Sequence, residues 1–268
     1  MEDRVEESEA EWAQLQDLHD NMLRRIGGLT ELPMRRAVVR EVFDELAPEQ
    51  TCWLLGQILR GAVWGRNPHI DAMLACALWL VEAHLNGDVG LLAALFEAAH
   101  HSGKKELLFL FRNPPPLRSL PLGSKLPEVR LPIPREVSLG ERRTIAAGGN
   151  RMLIDRLLYD PSDLVIGKLL DNPSIQEQDV LVVASRRPTV KEIVTCVALH
   201  NRWVPFHDVR EALVRNPFGP TGIALAFLPT LHVKALRQIK TSGDLHPTIN
   251  EFAELLIQLR EFKIPTKG

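Results

Sequence analysis

Asp171-Asn172-Pro173-Ser174-Ile175-Gln176-Glu177 opens, and Leu213-Val214-Arg215-Asn216-Pro217 closes, the stretch whose reading decides the fold. Asn-Pro occurs four times, at Asn67, Asn113, Asn172 and Asn216, with spacings of 46, 59 and 44 residues. Each pair follows an apolar run. Asparagine tolerates the left-handed conformation that ends helices, and proline cannot continue one, so each pair is expected to mark a helix end. Spacings of about 40–47 residues are those of helical repeats.

Inside the stretch, Ser174-Ile175-Gln176-Glu177 and Thr189-Val190-Lys191-Glu192 fit the S/T-x-x-E box that caps a helix start. Val190, Ile193, Val194, Val197 and Ala198 then fall on one helical face. A third segment from Pro205 carries Phe206, Val209, Ala212 and Leu213. One unit therefore reads as three short helices. The next residues repeat the plan loosely: Ile223–Leu228 stands where Val180–Ala184 stood, Pro247 mirrors Pro205, and Thr248–Glu251 forms another box.

Composition agrees with an all-α class. Of 268 residues, 45% are hydrophobic, enough for a sizeable core, while aromatics are 6% with a single tyrosine, Tyr159. Strand-like alternation is missing. The net charge of −2 hides an asymmetry, −9 over residues 1–100 and +7 over 101–268, which suits either attraction between the two parts or an acidic partner on the second. Cys52, Cys76 and Cys196 are far apart and odd in number, the pattern of a reducing compartment. The start MEDRVEESEAE lacks an apolar signal core, and the longest apolar run, Ala72–Val81, is ten residues. Spanning a bilayer takes about 20. The expectation is a cytoplasmic protein with no membrane partner.

Four segments follow. Residues 1–30 form an acidic segment, frayed over about the first ten residues. One amphipathic helix follows there, striped by Trp12, Leu15, Leu18, Met22 and Ile26 and ended by Gly27-Gly28. Residues 31–113 read as a helical domain: Pro33–Leu46 stopped by Pro48, a helix around Trp53–Leu59, a central one at His69–Asn86, then Val89–His101 and Lys105–Arg112. Residues 114–137 are a proline-rich strap, with seven prolines between Pro114 and Pro134 among aliphatic residues, expected to lie extended on the helices. Residues 138–268 restart with the capping box Ser138-Leu139-Gly140-Glu141 and form the repeat domain.

At LLDNPSIQEQDVLVVASRRP (169–188), Arg202-Trp203 and ALVRNP (212–217), the chain resembles α-solenoids of the HEAT, armadillo and leucine-rich-repeat-variant kind. It looks most like uncharacterised bacterial HEAT-like repeat proteins. The resemblance covers about 138–262, and 33–112 by general character. It implies an all-α solenoid of short repeats, interrupted by the strap, whose face serves binding; such scaffolds take many targets, so no function is implied beyond that.

No catalytic motif of the usual kinds occurs: no GxSxG, P-loop, HExxH or CxxC. Glu97-Ala98-Ala99-His100 has the Glu-x-x-His spacing of di-iron bundles but lacks the second motif that chemistry needs. No cofactor and no metal are expected. Trp203, His207, Asp208 and Arg210 form the densest polar–aromatic cluster, a loose echo of HEAT-like DNA glycosylases. Basic residues recur in the second part, and if repeats align them they line one face. The candidate contact residues are Arg186, Arg187, Lys191, Arg202, Trp203, Arg210, Lys234 and Arg237. The expected function is a non-enzymatic scaffold offering this groove to an acidic protein partner. The alternative is nucleic-acid binding on the same face, which Asp179, Glu192, Asp208, Glu211 and a pI near 6.5 speak against.

Overall fold

The computed structural model describes the backbone of residues 2–261 and the side chains of residues 12–261. The described chain is all-helical, with 15 α-helices and no β-strand. None of these helices is long and apolar enough to cross a membrane. The chain divides into two compact units, residues 1–112 with 252 onward, and residues 113–251.

The first unit holds α1 (Glu2–Gly27), α2 (Leu32–Asp44), α3 (Pro48–Val63), α4 (Asn67–Asn86), α5 (Val89–His101), α6 (Lys105–Leu110) and the larger part of α15 (Pro247–Glu261). α1 starts at Glu2, so residues 2–10 are helical where fraying was expected; the side chains up to residue 11 lie outside the described ones. α4 packs against α1, α2, α3 and α5. Its composition explains this: Ala72, Met73, Ala75, Cys76, Ala77, Leu78, Leu80 and Val81 are all fully buried, so it is apolar all round, and its small residues let neighbours approach. Gly87 ends α4 in the left-handed conformation at φ 70°, its N–H meeting the Ala83 carbonyl. Arg35 pairs with Asp71 at 2.7 Å, and Arg36 and Arg40 converge on Glu82, fixing α2 along α4. Two prolines act opposite to expectation: Pro48 opens α3 and Asn67-Pro68 opens α4, because the first turn of a helix has no use for the missing N–H.

The second unit holds α7 (Leu139–Ala146), α8 (Arg151–Leu157), α9 (Asp163–Asp171), α10 (Glu177–Ser185), α11 (Lys191–Ala198), α12 (His207–Val214), α13 (Thr221–Phe227) with a 3-10 turn at Leu228–Thr230, and α14 (Val233–Lys240). α7 packs on α9, α9 on α11, α10 on α11 and α12, and α12 on α13. Most of the apolar faces read from the sequence are buried, Ile193, Val194, Val197 and Ala198 of α11 and Val209 and Leu213 of α12; Val190 and Ala212 are only half-buried, and Phe206, at the start of α12, is exposed.

Two Asn-Pro pairs do structural work here. Asn172 is buried; its side-chain amide donates to the carbonyls of Ala146 and Gly148, both at 2.7 Å, and its Oδ1 accepts the Ser174 N–H. Asn216 repeats this on the end of α10, donating to Ala184 at 2.8 Å and Arg186 at 3.2 Å while Oδ1 accepts the Phe218 N–H. Each amide thus satisfies carbonyls that a helix end leaves open. The box at Ser138 forms as expected, with Glu141 accepting the Ser138 N–H at 2.9 Å. Those at Ser174 and Thr189 do not: α10 begins at Glu177, and Thr189 is buried ahead of α11.

Residues 113–137 carry no helix. The Arg118 N–H reaches the Pro217 carbonyl at 3.0 Å, and the Asn113 side chain accepts the Gly222 N–H at 2.9 Å. Leu126 is buried, whereas Leu117 and Leu122 face outward.

A candidate binding groove in the second unit

Three adjoining hollows run across the second unit. The first, of about 720 Å³, is lined by Arg130 from the helix-free segment, Arg156 and Tyr159 at the end of α8, Val182 of α10, and Arg186 and Arg187 just after it. Its carbon wall includes Val129, Val182 and Pro188, and its single carboxylate is Glu128. Ser185 and Arg187 are shared with the second hollow, of about 410 Å³, which continues to Asp208, Glu211 and Arg215 on and after α12. Asp208 and Glu211 are shared in turn with the third, of about 330 Å³, whose far side is His232, Lys234 and Gln238 of α14 and its approach.

The first hollow is strongly cationic. Arg186 is held in place by its Nη1, which donates to the Asp160 carbonyl at 2.9 Å, and burial lowers its pKa from the usual arginine value. Beneath it Asp160 is fully buried, its carboxylate 2.9 Å from Arg142 and accepting the Ser162 N–H. Burial nevertheless pushes the Asp160 pKa up. Arg187 donates to the Arg215 carbonyl at 2.5 Å and remains exposed. The side chains of Arg130 and Arg156 are exposed and have no ion-pair or hydrogen-bond partner among the described residues. Two unspent guanidiniums beside two anchored ones, with a phenol and aliphatic carbon between them, offer bidentate donors to an anion and a surface for side-chain carbon.

The third hollow brings together His207, Asp208 and Glu211, whose possible ligand atoms lie within 4.8 Å of one another. Their bonds are already committed. His207 Nε2 accepts the His232 main-chain N–H at 3.1 Å, so Nδ1 carries the proton and faces Asp208 at 3.2 Å. A cation on Nδ1 would drive that proton to Nε2, against the His232 N–H. Glu211 is paired with Arg215 at 2.7 Å, and the His207 and His232 rings stack at 4.0 Å. The trio reads as a bonded link between α12 and the start of α14.

Of the eight contact residues expected from the sequence, Arg186, Arg187 and Lys234 line the groove. Two are corrected outright. Trp203 is 3% exposed, its indole N–H donating to the Leu170 carbonyl at 2.9 Å, and Arg210 is 7% exposed. Arg210 donates to the carbonyls of Val204 and Pro205, and burial brings its pKa down to about 10. Neither presents a surface. Arg202 lies over Trp203 at 4.2 Å and donates to the carbonyls of Asn172 and Ile175, closing the turn after α9. Lys191 and Arg237 are exposed on α11 and α14, outside the lining of these hollows. Arg130, Arg156 and Tyr159 were missed. Their signal was one of two arginines among the prolines and a helix-ending phrase, and nothing local says that they meet.

The chain matches no family model, and neither a curated protein nor a solved structure is significantly similar to it.

Proposed function

We propose that the chain is a non-enzymatic binding scaffold of HEAT- or armadillo-like helical repeats, which takes up an acidic segment of a protein partner in the arginine-lined hollow of its second unit. The single observation that carries this is Arg130 and Arg156, exposed and without partners among the described residues, facing the same hollow as Arg186 and Arg187 against one glutamate. Unpaired like charges held close together repel, and an incoming anion relieves that. The repeat reading is supported by the matching clamps of Asn172 and Asn216 and by the successive packing of short helices. The three cysteines are free, which supports a reducing, cytoplasmic setting.

The test is fluorescence anisotropy with a glutamate-rich peptide, a lysine-rich one and a single-stranded oligonucleotide of equal charge to the first. The reading expects the acidic peptide to bind and Arg130→Glu/Arg156→Glu to abolish it. Tighter binding of the oligonucleotide, weakening steeply with salt, would replace it with nucleic-acid binding.

A further inference from the structure

Guanidiniums reach the first hollow from three separate stretches of chain: Arg130 from the helix-free segment, Arg156 from the end of α8, and Arg186 and Arg187 from the residues after α10. Its one carboxylate is Glu128. Three carboxylates of the surrounding chain are committed elsewhere, the buried Asp160 to Arg142 at 2.9 Å, and Asp155 and Asp179 both to Arg151. Arg187 also lines the neighbouring hollow beside Asp208, which can offset it. Without Arg187, three guanidiniums still stand against one carboxylate, a net charge of +2.

Helix C-termini carry partial negative charge on their open carbonyls, which opposes an anion. That opposition is reduced on both sides of the hollow. After α10 the Asn216 amide takes the carbonyls of Ala184 and Arg186, and after α8 Arg186 takes that of Asp160.

We infer that this hollow receives a phosphoryl group carried on a side chain of the partner's segment. The inference rests on the scaffold reading above and names the acidic group that the partner presents. A phosphorylated side chain brings a charge of about −1.5 to −2 at neutral pH and three acceptor oxygens, so its charge matches the excess of the hollow. Its oxygens stand around a tetrahedral centre, and guanidiniums arriving from different stretches can pair with different oxygens. A carboxylate is planar, has two oxygens, and is filled by a single arginine fork. At about 720 Å³ the hollow is larger than a phosphoryl group alone needs. Val129, Val182, Pro188 and the exposed ring of Tyr159 give the carrying side chain and its neighbours a carbon surface.

The test is anisotropy on the full chain with short glutamate-rich peptides that differ only at the centre, which is phosphoserine, one glutamate, or a pair of glutamates that matches the phosphoryl charge. The phosphoserine peptide is expected to bind about tenfold tighter than the glutamate pair at pH 7.5. Arg130→Lys/Arg156→Lys keeps the charge and removes two forks, and should erase that preference while the glutamate peptides still bind. Neither arginine side chain has a partner to lose, and a melting temperature checks the fold. The second phosphate proton has a pKa of about 6, so lowering the pH to 5.5 should weaken the phosphoserine peptide by up to about fourfold relative to the glutamate pair. The hollow's lining holds no histidine among the described residues, and protonation of Asp160, whose pKa burial raises, would act on both peptides.

Equal binding of the phosphoserine and glutamate-pair peptides overturns the phosphoryl occupant and leaves the acidic-partner reading standing. So does a preference that survives in the lysine variant or ignores pH. Free O-phosphoserine that competes as strongly as the phosphopeptide overturns the partner's side chain as the source. Binding of none of the peptides overturns both the inference and the reading beneath it.

Discussion

Asn216 donates from its side-chain amide to the main-chain carbonyl of Ala184, 2.8 Å away and 32 positions earlier in the chain. The same amide reaches Arg186, so one side chain closes the end of α10 from the end of α12. Its removal leaves two carbonyls unsatisfied, one of them in the core. Asn216→Ala is expected to cost about 2–4 kcal/mol. Hydrogen exchange should quicken in α10 and α12 ahead of the first unit. Exchange that quickens nowhere near α10 would contradict the clamp.

Gly61 of α3 lies directly against His69 of α4. A Cβ placed there would collide with Cδ2 of His69, whose ring is buried. Gly61→Ala should lower stability by about 1–3 kcal/mol, as overpacking does. His69→Ala in the same chain should restore part of the loss, which calorimetry on the two single variants and the double would show.

His69 also sets an acid limit. Burial, reinforced by the charges of His19 and Arg66 and opposed by Asp20, holds its pKa at about 4, against 6.5 for a free histidine. Above pH 6.5 the ring is neutral folded or unfolded and contributes nothing. As pH falls below 6.5 the unfolded chain takes a proton that the folded one refuses, so stability drops until about pH 4 and then levels. His69→Asn should shallow that slope in denaturant titrations at pH 4, 5, 6 and 7. Part of the slope should remain, because burial lowers His84 as well.

The basic residues divide into two groups with opposite responses to substitution. Arg210→Met should destabilise by about 2–4 kcal/mol, since the Val204 and Pro205 carbonyls lose their donor. Arg156→Glu, with no partner to lose, should shift stability by less than about 0.5 kcal/mol while removing binding of an acidic peptide. Melting temperatures and anisotropy on the same two proteins separate the groups.

That division explains what could be read in the sequence. Helical faces followed from periodicity, because burial obeys the 3.6-residue repeat, and the central place of α4 followed from its having no polar face. α5 was bounded at Val89 and His101 by Gly87 ahead of it and a basic last turn. The S/T-x-x-E pattern held at Ser138 and failed at Ser174, where Asn172 Oδ1 takes the Ser174 N–H first. Asn-Pro is likewise one phrase with two uses, a clamp at 172 and 216 and a helix start at 67. Charge counting could not tell Arg202, spent on two carbonyls, from Arg156, spent on none. The meeting of Arg130 with Arg156 depends on where the helix-free segment lies against α8, a pairing between distant residues that no local pattern encodes.

The prolines that follow the two clamping asparagines have a chemical consequence as well. Asparagine ages when the next main-chain nitrogen, losing its hydrogen, attacks the side-chain amide and closes a five-membered imide. Proline nitrogen has no hydrogen to lose, so Asn172 and Asn216 are shielded from that reaction by Pro173 and Pro217. Asn86 is exposed and followed by Gly87, whose nitrogen does carry that hydrogen and is free to react whenever the last turn of α4 opens and its bond to the Ala83 carbonyl breaks. Isoaspartate in stored protein should therefore accumulate at the end of α4 first, while the asparagines that tie the second unit together keep their amides.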